Sequence, residues 1–312
     1  MPGFIVKKTA GMILVLFGAT FLTYAMILLA PGDAAREIAV ARYGGESQLD
    51  QSTVEWIRQK EGLDQPFLVQ YGRWLSHVVK LDFGYSLVEE AKVGKLISTR
   101  FAKTFELAAV AILIALAVSL PLGTIAGVRQ GSWLDSASIS LSILGLSIPN
   151  FWFGLLLITF FSVHVHWLPS FGTGTWQHLI MPALTLGTSI TAYIARLLRL
   201  SVIQSLASDP VLALRARGTD SFKILSKHVI KNALPPLVTI VGLELGLILE
   251  GAVITEVVFS WPGLGSLMVD AISNRDYPLI QGVVLFTGAM FVLINFGVDL
   301  ICSLLDPRMG LK

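Results

Sequence analysis

Cysteine, charge and catalytic motifs are what this 312-residue sequence has little of. Its lone cysteine, Cys302, excludes an internal disulfide and is interpreted as apolar packing. Charged residues make up 14% of the chain, whereas soluble domains carry about 25%. With 54% hydrophobic residues and a mean hydropathy of +0.72, this scarcity excludes a soluble domain and predicts a polytopic membrane protein. A net charge of +2 is too small to indicate a nucleic-acid partner.

The short motifs of common enzyme chemistry are missing as well. No G-x-x-x-x-G-K-[ST] sequence is present, so the chain has no phosphate-binding loop to hold ATP. G-x-S-x-G, H-E-x-x-H and paired C-x-x-C sequences are also absent. We therefore predict a chain that is not an enzyme, without catalytic residues or a cofactor of its own. This disfavours an intramembrane enzyme, and an ATP-driven transporter would need its ATPase on another chain.

Six apolar stretches are long enough to cross a bilayer, which takes about 20 residues. One charge-free run, residues 136–195, is too long for a single helix and is subdivided by Pro149, by residues 164–169 and by Pro182. The predicted fold class is all-α with six transmembrane helices. The predicted spans are 11–30, 107–128, 136–161, 178–198, 232–257 and 277–298.

The positions of Lys and Arg predict the orientation. The loop 196–231 holds seven basic residues against two aspartates, Lys7 and Lys8 precede the first span, and Arg308 and Lys312 lie at the end. Basic residues near span ends stay on the cytoplasmic side. Both termini and the loop are therefore predicted to be cytoplasmic.

Four segments follow from this topology. Residues 1–31 form the first transmembrane helix, retained because its apolar run exceeds the about 7–15 residues of a cleaved signal peptide. Residues 32–103 form an extracytoplasmic region. Residues 104–304 form a five-helix core that contains the cytoplasmic loop 200–231, and residues 305–312 form a cytoplasmic tail.

The cytoplasmic loop carries its own helix signals. Ser208 or Asp209 can cap a helix, and Pro210 then occupies the first helical position, where its missing N–H costs nothing. Gly218 can adopt the left-handed conformation that ends a helix. The predicted helix, from Pro210 to Arg217, has about two turns and is marginal in water alone. We infer a docking element for a partner protein.

A second cytoplasmic helix is predicted to start at Thr219 or Asp220. The prolines at 235–236 are expected to mark the entry to the fifth span. Helical spacing places three apolar residues of this second helix on one face, namely Phe222, Leu225 and Val229.

The extracytoplasmic region is expected to be packed. Its residues 52–61 have a helical pattern that includes Ile57. Four aromatic residues follow, namely Tyr71, Trp74, Phe83 and Tyr85. Two interpretations stay open: an external scaffold, and a docking surface for a soluble partner.

Acidic residues inside a span are costly and are functional candidates by default. Glu244, Glu250 and Glu256 are spaced by six, which sets successive side chains about 120° apart on a helix. They therefore form no single acidic stripe. We assign Glu250, facing a cavity or a partner, and Glu256, near the outer end and within reach of water, to the translocation path or its gate. These acids also support an alternative function, an ion- or proton-driven secondary transporter.

Three histidines lie around the connection between the third and fourth spans. His164, His166 and His178 could bind nickel or zinc. The alternating pair beside Trp167 is more typical of a membrane interface, and no metal site is predicted. The segment FSWPGLG at 259–265 is interpreted as a structured hairpin at the outer mouth of the fifth span, with Trp261 at the membrane–water interface.

At this point the sequence resembles a known family. The order RARG-x9-H-x3-NA-x-P, from Arg215 to Pro235, is similar to the cytoplasmic loop signature of ABC importer permeases. The resemblance covers essentially the full chain, in the dipeptide/oligopeptide/nickel permease group, for the subunit with a large external segment after the first span. Further matching strings are GLDQP (62–66), QYGRWL (70–75), LDFGYS (81–86), PNFW (149–152), FSWPGLG (259–265), RDYP (275–278) and DPR (306–308).

The resemblance implies a type I ABC importer permease fold in the bacterial plasma (inner) membrane. This chain and a second homologous permease would form the import pore within the lipid. Two ATP-binding cassette ATPase subunits would bind ATP and Mg, and an extracytoplasmic solute-binding protein would deliver the cargo. By similarity, the helix that couples to the ATPase comprises Ala213, Leu214, Arg215, Ala216, Arg217 and Gly218. Its movement would tilt spans two to five and alternate access across the membrane.

Different parts of the sequence resemble family members with different cargo. PNFW and the sequence WLPSFGTGTWQH (167–178) resemble nickel-type members. ITEVVFSWPGLG and DAISNRDYP resemble dipeptide-type members. Nickel or a metal chelate is slightly favoured, closely followed by di- or oligopeptides.

Overall fold

The computed structural model describes residues 2–29, 32–43 and 50–305, apart from the side chains of residues 2–9, 27, 28, 41, 250 and 251. The tail beyond residue 305, with Arg308 and Lys312, lies outside the described residues, as do the side chains of Lys7 and Lys8.

Helices make up nearly all of the described structure, which confirms the all-α prediction. In chain order they are α1 (Pro2–Leu29), α2 (Ala34–Tyr43), α3 (Gln51–Lys60), α4 (Phe67–Val78), α5 (Val93–Val128), α6 (Trp133–Ser147), α7 (Asn150–Leu157), α8 (Trp176–Leu206), α9 (Asp209–Ala216), α10 (Ser221–Ile224), α11 (Ile230–Gly251), α12 (Val253–Val258), α13 (Leu264–Ser273) and α14 (Tyr277–Leu305). Two π-helical turns, Ile158–His164 after α7 and Leu225–Val229 between α10 and α11, extend their neighbours.

The described residues account for four or five of the six predicted spans. Four helical stretches are long and apolar enough to cross a membrane, namely α5, α8, Ser221–Leu249 and α14. The pair α6 and α7 passes the same criterion only together, and it is bent by 97°. The described apolar part of α1, Ala10–Met26, is shorter than these. The described residues thus give four or five spans, and the first span stays a prediction.

The third predicted span, 136–161, is two helices instead of one. Ile148 has an extended conformation (φ −81°, ψ 122°), and the helix restarts at Asn150 after Pro149. A proline disfavours the helical conformation of the residue before it. The chain therefore turns sharply at Pro149, inside the range predicted as one span.

The fifth predicted span, 232–257, also has different limits. The helix runs on from α10 through the prolines at 235–236, which lie inside α11 instead of marking its entry. It ends at Gly251, and Ala252 (φ −67°, ψ 36°) separates it from α12. The predicted end of this span is therefore a separate short helix.

The chain forms two compact units, of which the second comprises Thr104–Trp261 and Leu293–Lys312. Its central element is α8, which packs against α6, α7 and α11. Helix α5 approaches α8 closely through glycines: a Cβ on Gly123 would lie 2.7 Å from the Ala195 carbonyl oxygen, and one on Gly127 would lie 2.7 Å from the Val202 side chain. Small residues permit this close contact, which is how helices pack in membranes.

A buried ion pair fixes the start of α6 on α8. The Arg199 guanidinium binds both carboxylate oxygens of Asp135, with 2.8 Å between Nη2 and Oδ2. Asp135 also accepts a hydrogen bond from the Gly131 backbone N–H at 2.9 Å. The Asp135 side chain is 4% exposed. The bidentate geometry is the strong form of a carboxylate–arginine contact.

The first unit comprises Met1–Lys103 and Pro262–Val292. The helical pattern predicted at 52–61 is confirmed by α3, in which Ile57 is fully buried. Helices α1 and α4 meet through aromatic rings and through two hydrogen bonds, Thr20 to Tyr71 (3.0 Å) and Tyr24 to Gln70 (2.8 Å). Apolar residues of α13 and α14 bury the first turns of α5.

Asp276 ties the segment before α5 to the start of α14. Its carboxylate is buried and accepts hydrogen bonds from the Ser86 hydroxyl and from the backbone N–H groups of Leu87 (3.1 Å) and Leu279 (3.3 Å). The Leu279 bond caps the N-terminus of α14, where a negative charge is favourable. One carboxylate therefore organises two segments that are about 190 residues apart.

We expect Asp135→Asn to destabilise the folded chain by about 3–5 kcal/mol, because it leaves the buried Arg199 guanidinium without its counter-charge. Thermal unfolding of the purified protein measures the loss. Arg196→Gln, on the exposed side of the same helix, is the matched control and should change the unfolding temperature little. Equal stability of the two variants would show that the Asp135–Arg199 ion pair does not stabilise the packing of α6 on α8.

Candidate functional site

The short helix α9 follows α8 directly in the basic loop. It begins at Asp209, with Pro210 in its first turn, and ends at Ala216. The predicted limits, Pro210 to Arg217, are therefore shifted by one residue. Ser208 is the N-cap residue, one of the two predicted. Its hydroxyl, however, donates to the Ser205 carbonyl oxygen at 2.7 Å and does not accept from α9. Asp209 places a negative charge at the helix N-terminus, where it is stabilising.

Gly218 ends α9 in the left-handed conformation, with φ +73°, as predicted. Its N–H donates to the Arg215 carbonyl oxygen at 2.9 Å, and the next N–H, of Thr219, donates to the Leu214 carbonyl oxygen at 3.1 Å. A Cβ on Gly218 would meet no atom within 4 Å. The requirement for glycine thus comes from the backbone conformation and not from crowding.

One face of α9 is anchored to the second unit. Val211 is buried, and Leu214 packs beside it against the end of α8 and the start of the fifth-span helix. The buried partners in this cluster are Leu198, Val202, Ile224, Val229 and Ala233. A helix of two turns is held in place by this packing, since it is marginal by itself.

The opposite face of α9 is open. Of the six residues predicted to couple, Leu214 belongs to the anchor. Leu212, which the prediction did not include, is 50% exposed. The other five predicted residues are exposed, namely Ala213, Arg215, Ala216, Arg217 and Gly218. The face therefore combines small and apolar residues with two positive charges.

The element after α9 only partly matches the prediction. Asp220 caps α10 by accepting from the Lys223 N–H at 3.1 Å. Phe222 was expected to share one apolar face with Leu225 and Val229, but it is 76% exposed. Val229 is buried and Leu225 packs against the same cluster, in which Ile224 is also buried.

Glu256 lies in α12 and is fully buried, so the expectation that it reaches water is wrong. The Thr104 hydroxyl donates to its carboxylate at 2.7 Å. Its backbone carbonyl oxygen accepts from the Trp261 N–H at 2.7 Å. This hydrogen bond closes a turn at the end of α12. Trp261, which was expected at the membrane interface, is buried.

Of the two other acidic candidates, the structure describes the side chain of Glu244. The Glu250 side chain lies outside the described residues. Glu244 is half-buried on α11. The structure therefore positions one of the two residues assigned to the translocation path.

The three histidines each make a local contact through Nδ1. His164 contacts the Thr159 carbonyl oxygen (2.7 Å), His166 contacts the His164 carbonyl oxygen (3.2 Å), and His178 contacts the Thr175 hydroxyl (2.8 Å). In the part of the chain that the structure describes, no group of three or more His, Cys, Asp or Glu side chains is placed to hold a metal ion.

Comparisons with known proteins bear on the whole chain. The family described as "Binding-protein-dependent transport system inner membrane component" matches residues 119–311. Its companion, "Binding-prot-dependent transport system membrane comp, N-term", matches residues 1–108. The "Glutathione transport system permease protein GsiC" of Escherichia coli (strain K12) is 38% identical over 312 residues, 100% of both chains. The protein of the same name in Salmonella paratyphi A (strain ATCC 9150 / SARB42) has the same identity and coverage.

Solved structures show the same fold. A chain in the structure "Inward facing conformations of the MetNI methionine ABC transporter", native crystal form, is similar with a TM-score of 0.56. The SeMet soak crystal form gives 0.58. Both are 21% identical, and the match covers 68% of this chain and 96% of the other. The fold is the type I importer fold, and the chain belongs to the family of inner membrane components of binding-protein-dependent transport systems, as a multi-pass permease subunit of an ABC importer.

Proposed function

We propose that this chain forms half of an import pore for short peptides, with α9 as the element that receives the force of ATP hydrolysis. The observation that carries the proposal is the division of α9 into an anchored face and an open face. Val211 and Leu214 hold it against α8 and the fifth-span helix, while Arg215, Ala216 and Arg217 are exposed. A push on the open face is transmitted through the anchor to two spans at once.

The partners of the proposed pore supply what this chain lacks. A second homologous permease completes the pore, and two ATP-binding cassette subunits bind ATP and Mg beneath it. Small residues of α9 allow close approach, and Arg215 and Arg217 are suited to acidic groups in an ATPase cleft. This places the loop and both termini in the cytoplasm, and the segment 32–103 on the side from which a solute-binding protein delivers cargo. The family supports this ATP-driven arrangement over the alternative of an ion- or proton-driven carrier.

A short peptide is the cargo we favour over nickel. The relatives that are 38% identical over the full chain carry the name of a glutathione transport system, and glutathione is a tripeptide. That similarity covers the full length of the chain. The strings that favour nickel are confined to two short segments. The slight preference for nickel or a metal chelate is therefore replaced by the peptide alternative.

We propose that Glu256 contributes to the gate by holding neighbouring segments in place. Its carboxylate is held by Thr104 at the start of the core, and its backbone holds the turn that contains Trp261. A buried carboxylate with a hydroxyl donor is suited to fixing one closed arrangement of these segments. No proton transfer is needed for this role.

The cargo prediction is tested by transport. The full complex, reconstituted in liposomes with its own solute-binding protein, should accumulate radiolabelled short peptides, including glutathione, when ATP is supplied on the ATPase side. Nickel ions alone should not accumulate. A complex with an ATPase-dead partner subunit is the control. ATP-dependent nickel uptake without peptide uptake would overturn the assignment.

Gly218→Val should reduce the stimulation of ATPase activity by loaded binding protein, while the complex still assembles. The left-handed conformation costs an L-residue about 1–2 kcal/mol, and a β-branched side chain tolerates it poorly. Gly218→Asn is the matched control, because asparagine adopts this conformation more readily. Stimulation of the valine variant at the wild-type level would count against a coupling role for α9.

Glu256→Gln should retain most transport, because an amide oxygen still accepts from Thr104. Glu256→Leu should raise basal ATPase activity and lower transport, since it removes a hydrogen bond to a charged group worth about 1.5–3 kcal/mol. Both activities are measured on the same nanodisc preparation. If the glutamine variant is as defective as the leucine variant, the charge itself takes part in transport.

A further inference from the structure

A cavity of about 360 Å³ lies within the first unit and has no role in the function proposed above. Helix α4, the loop that follows it, the outer part of α1 and the start of α14 form its walls. Sites for small ligands have volumes of about 300–1,000 Å³. The cavity therefore has room for a ligand the size of an amino acid or a short peptide.

Two buried hydrogen-bond donors in the cavity wall have no acceptor. Trp74 Nε1 and Gln281 Nε2 are buried, and neither has a partner among the described residues. Gln281 is 1% exposed. Folded proteins pair nearly all buried polar groups, and an unpaired one costs about 1–3 kcal/mol. Two such donors lining one cavity indicate an acceptor that arrives from outside.

An exposed cation also lines the cavity. Arg73 lines it one residue before Trp74, and a Cβ on Gly62 would lie 2.9 Å from the Arg73 guanidinium. Arg73 makes no ion pair with any other described residue. Its neighbour in the wall, Glu61, is held by Arg42 at 3.1 Å. Arg73 and the two N–H donors together form a set that suits a carboxylate.

A second charge in the wall narrows the ligand class. Asp82 lines the same cavity and accepts from the Gly84 N–H at 3.0 Å through one carboxylate oxygen. Its negative charge in the same wall disfavours a phosphate dianion. An ammonium group on the ligand would instead complement it. Aromatic side chains elsewhere in the wall include Phe83, Tyr85 and Tyr277.

The geometry points to a binding site for a small zwitterion, an amino acid or a di- or tripeptide. Its carboxylate is bound by Arg73, Trp74 and Gln281, and its ammonium group lies toward Asp82. The aromatic wall accommodates the apolar part of the ligand. The site is built from the first unit alone and does not depend on the cargo or on the coupling role of α9.

Equilibrium dialysis of radiolabelled triglycine against the detergent-purified complex tests the site, without ATP and without the solute-binding protein. Saturable binding is expected. Triglycine amide, which lacks the carboxylate, and N-acetyl-triglycine, which lacks the ammonium group, should both compete poorly. Inorganic phosphate should not compete. Because no transport step is involved, the result is independent of the peptide-import proposal.

Variants assign the binding to this cavity. Arg73→Gln should raise the Kd about tenfold or more, and Trp74→Phe, which keeps the ring but removes the N–H, should raise it about three- to tenfold. Lys80→Gln removes an exposed cation of the same region that does not line the cavity, and it should leave the Kd unchanged. Each variant is first shown to co-elute with its partner subunits.

Several outcomes would overturn the proposal. Absence of saturable binding would mean that the cavity holds water only. Equal competition by triglycine amide, or competition by phosphate, would mean that the ligand class is wrong. Binding that survives both Arg73→Gln and Trp74→Phe would belong to another site.

Discussion

The interior of a bilayer offers no water, so each polar group within a span has to be satisfied by the protein. This chain does so with a few contacts between distant segments. Asp135 binds Arg199, and Glu256 binds Thr104. In each case a short or broken element, α6 or α12, is held on a long helix. The polar pairs therefore decide where the short elements lie, while apolar contacts supply most of the packing.

Outside the spans, too, a few contacts determine where an element lies. Helix α9 is too short to be stable alone, so its place depends on Val211 and Leu214 and on the backbone turn at Gly218. The buried Asp276 performs a similar task in the first unit, where it joins the segment around Leu87 to the start of α14. In both places a small number of atoms determines the position of a whole element.

Local features were predictable from the sequence, and long-range ones were not. The roles of Pro210 and Gly218 follow from backbone preferences of single residues, so α9 was located to within one residue. Motif order identified the family. The turn at Pro149 was underestimated because a proline inside a membrane helix more often kinks it than ends it. The burial of Glu256 depends on Thr104, about 150 residues away, and local spacing carries no signal of that contact.

The π-helical turn at Leu225–Val229 also sets the rotational phase of the fifth span. It accommodates one extra residue inside a continuous helix, and one residue corresponds to about 100° of rotation. Deleting one residue at this turn would restore uniform α-helical winding without interrupting the continuous helix. The surface that the span presents to its neighbours would then be rotated by more than a quarter of a revolution relative to α10. Chain length at this one turn thus determines which side of the span faces each of its neighbours.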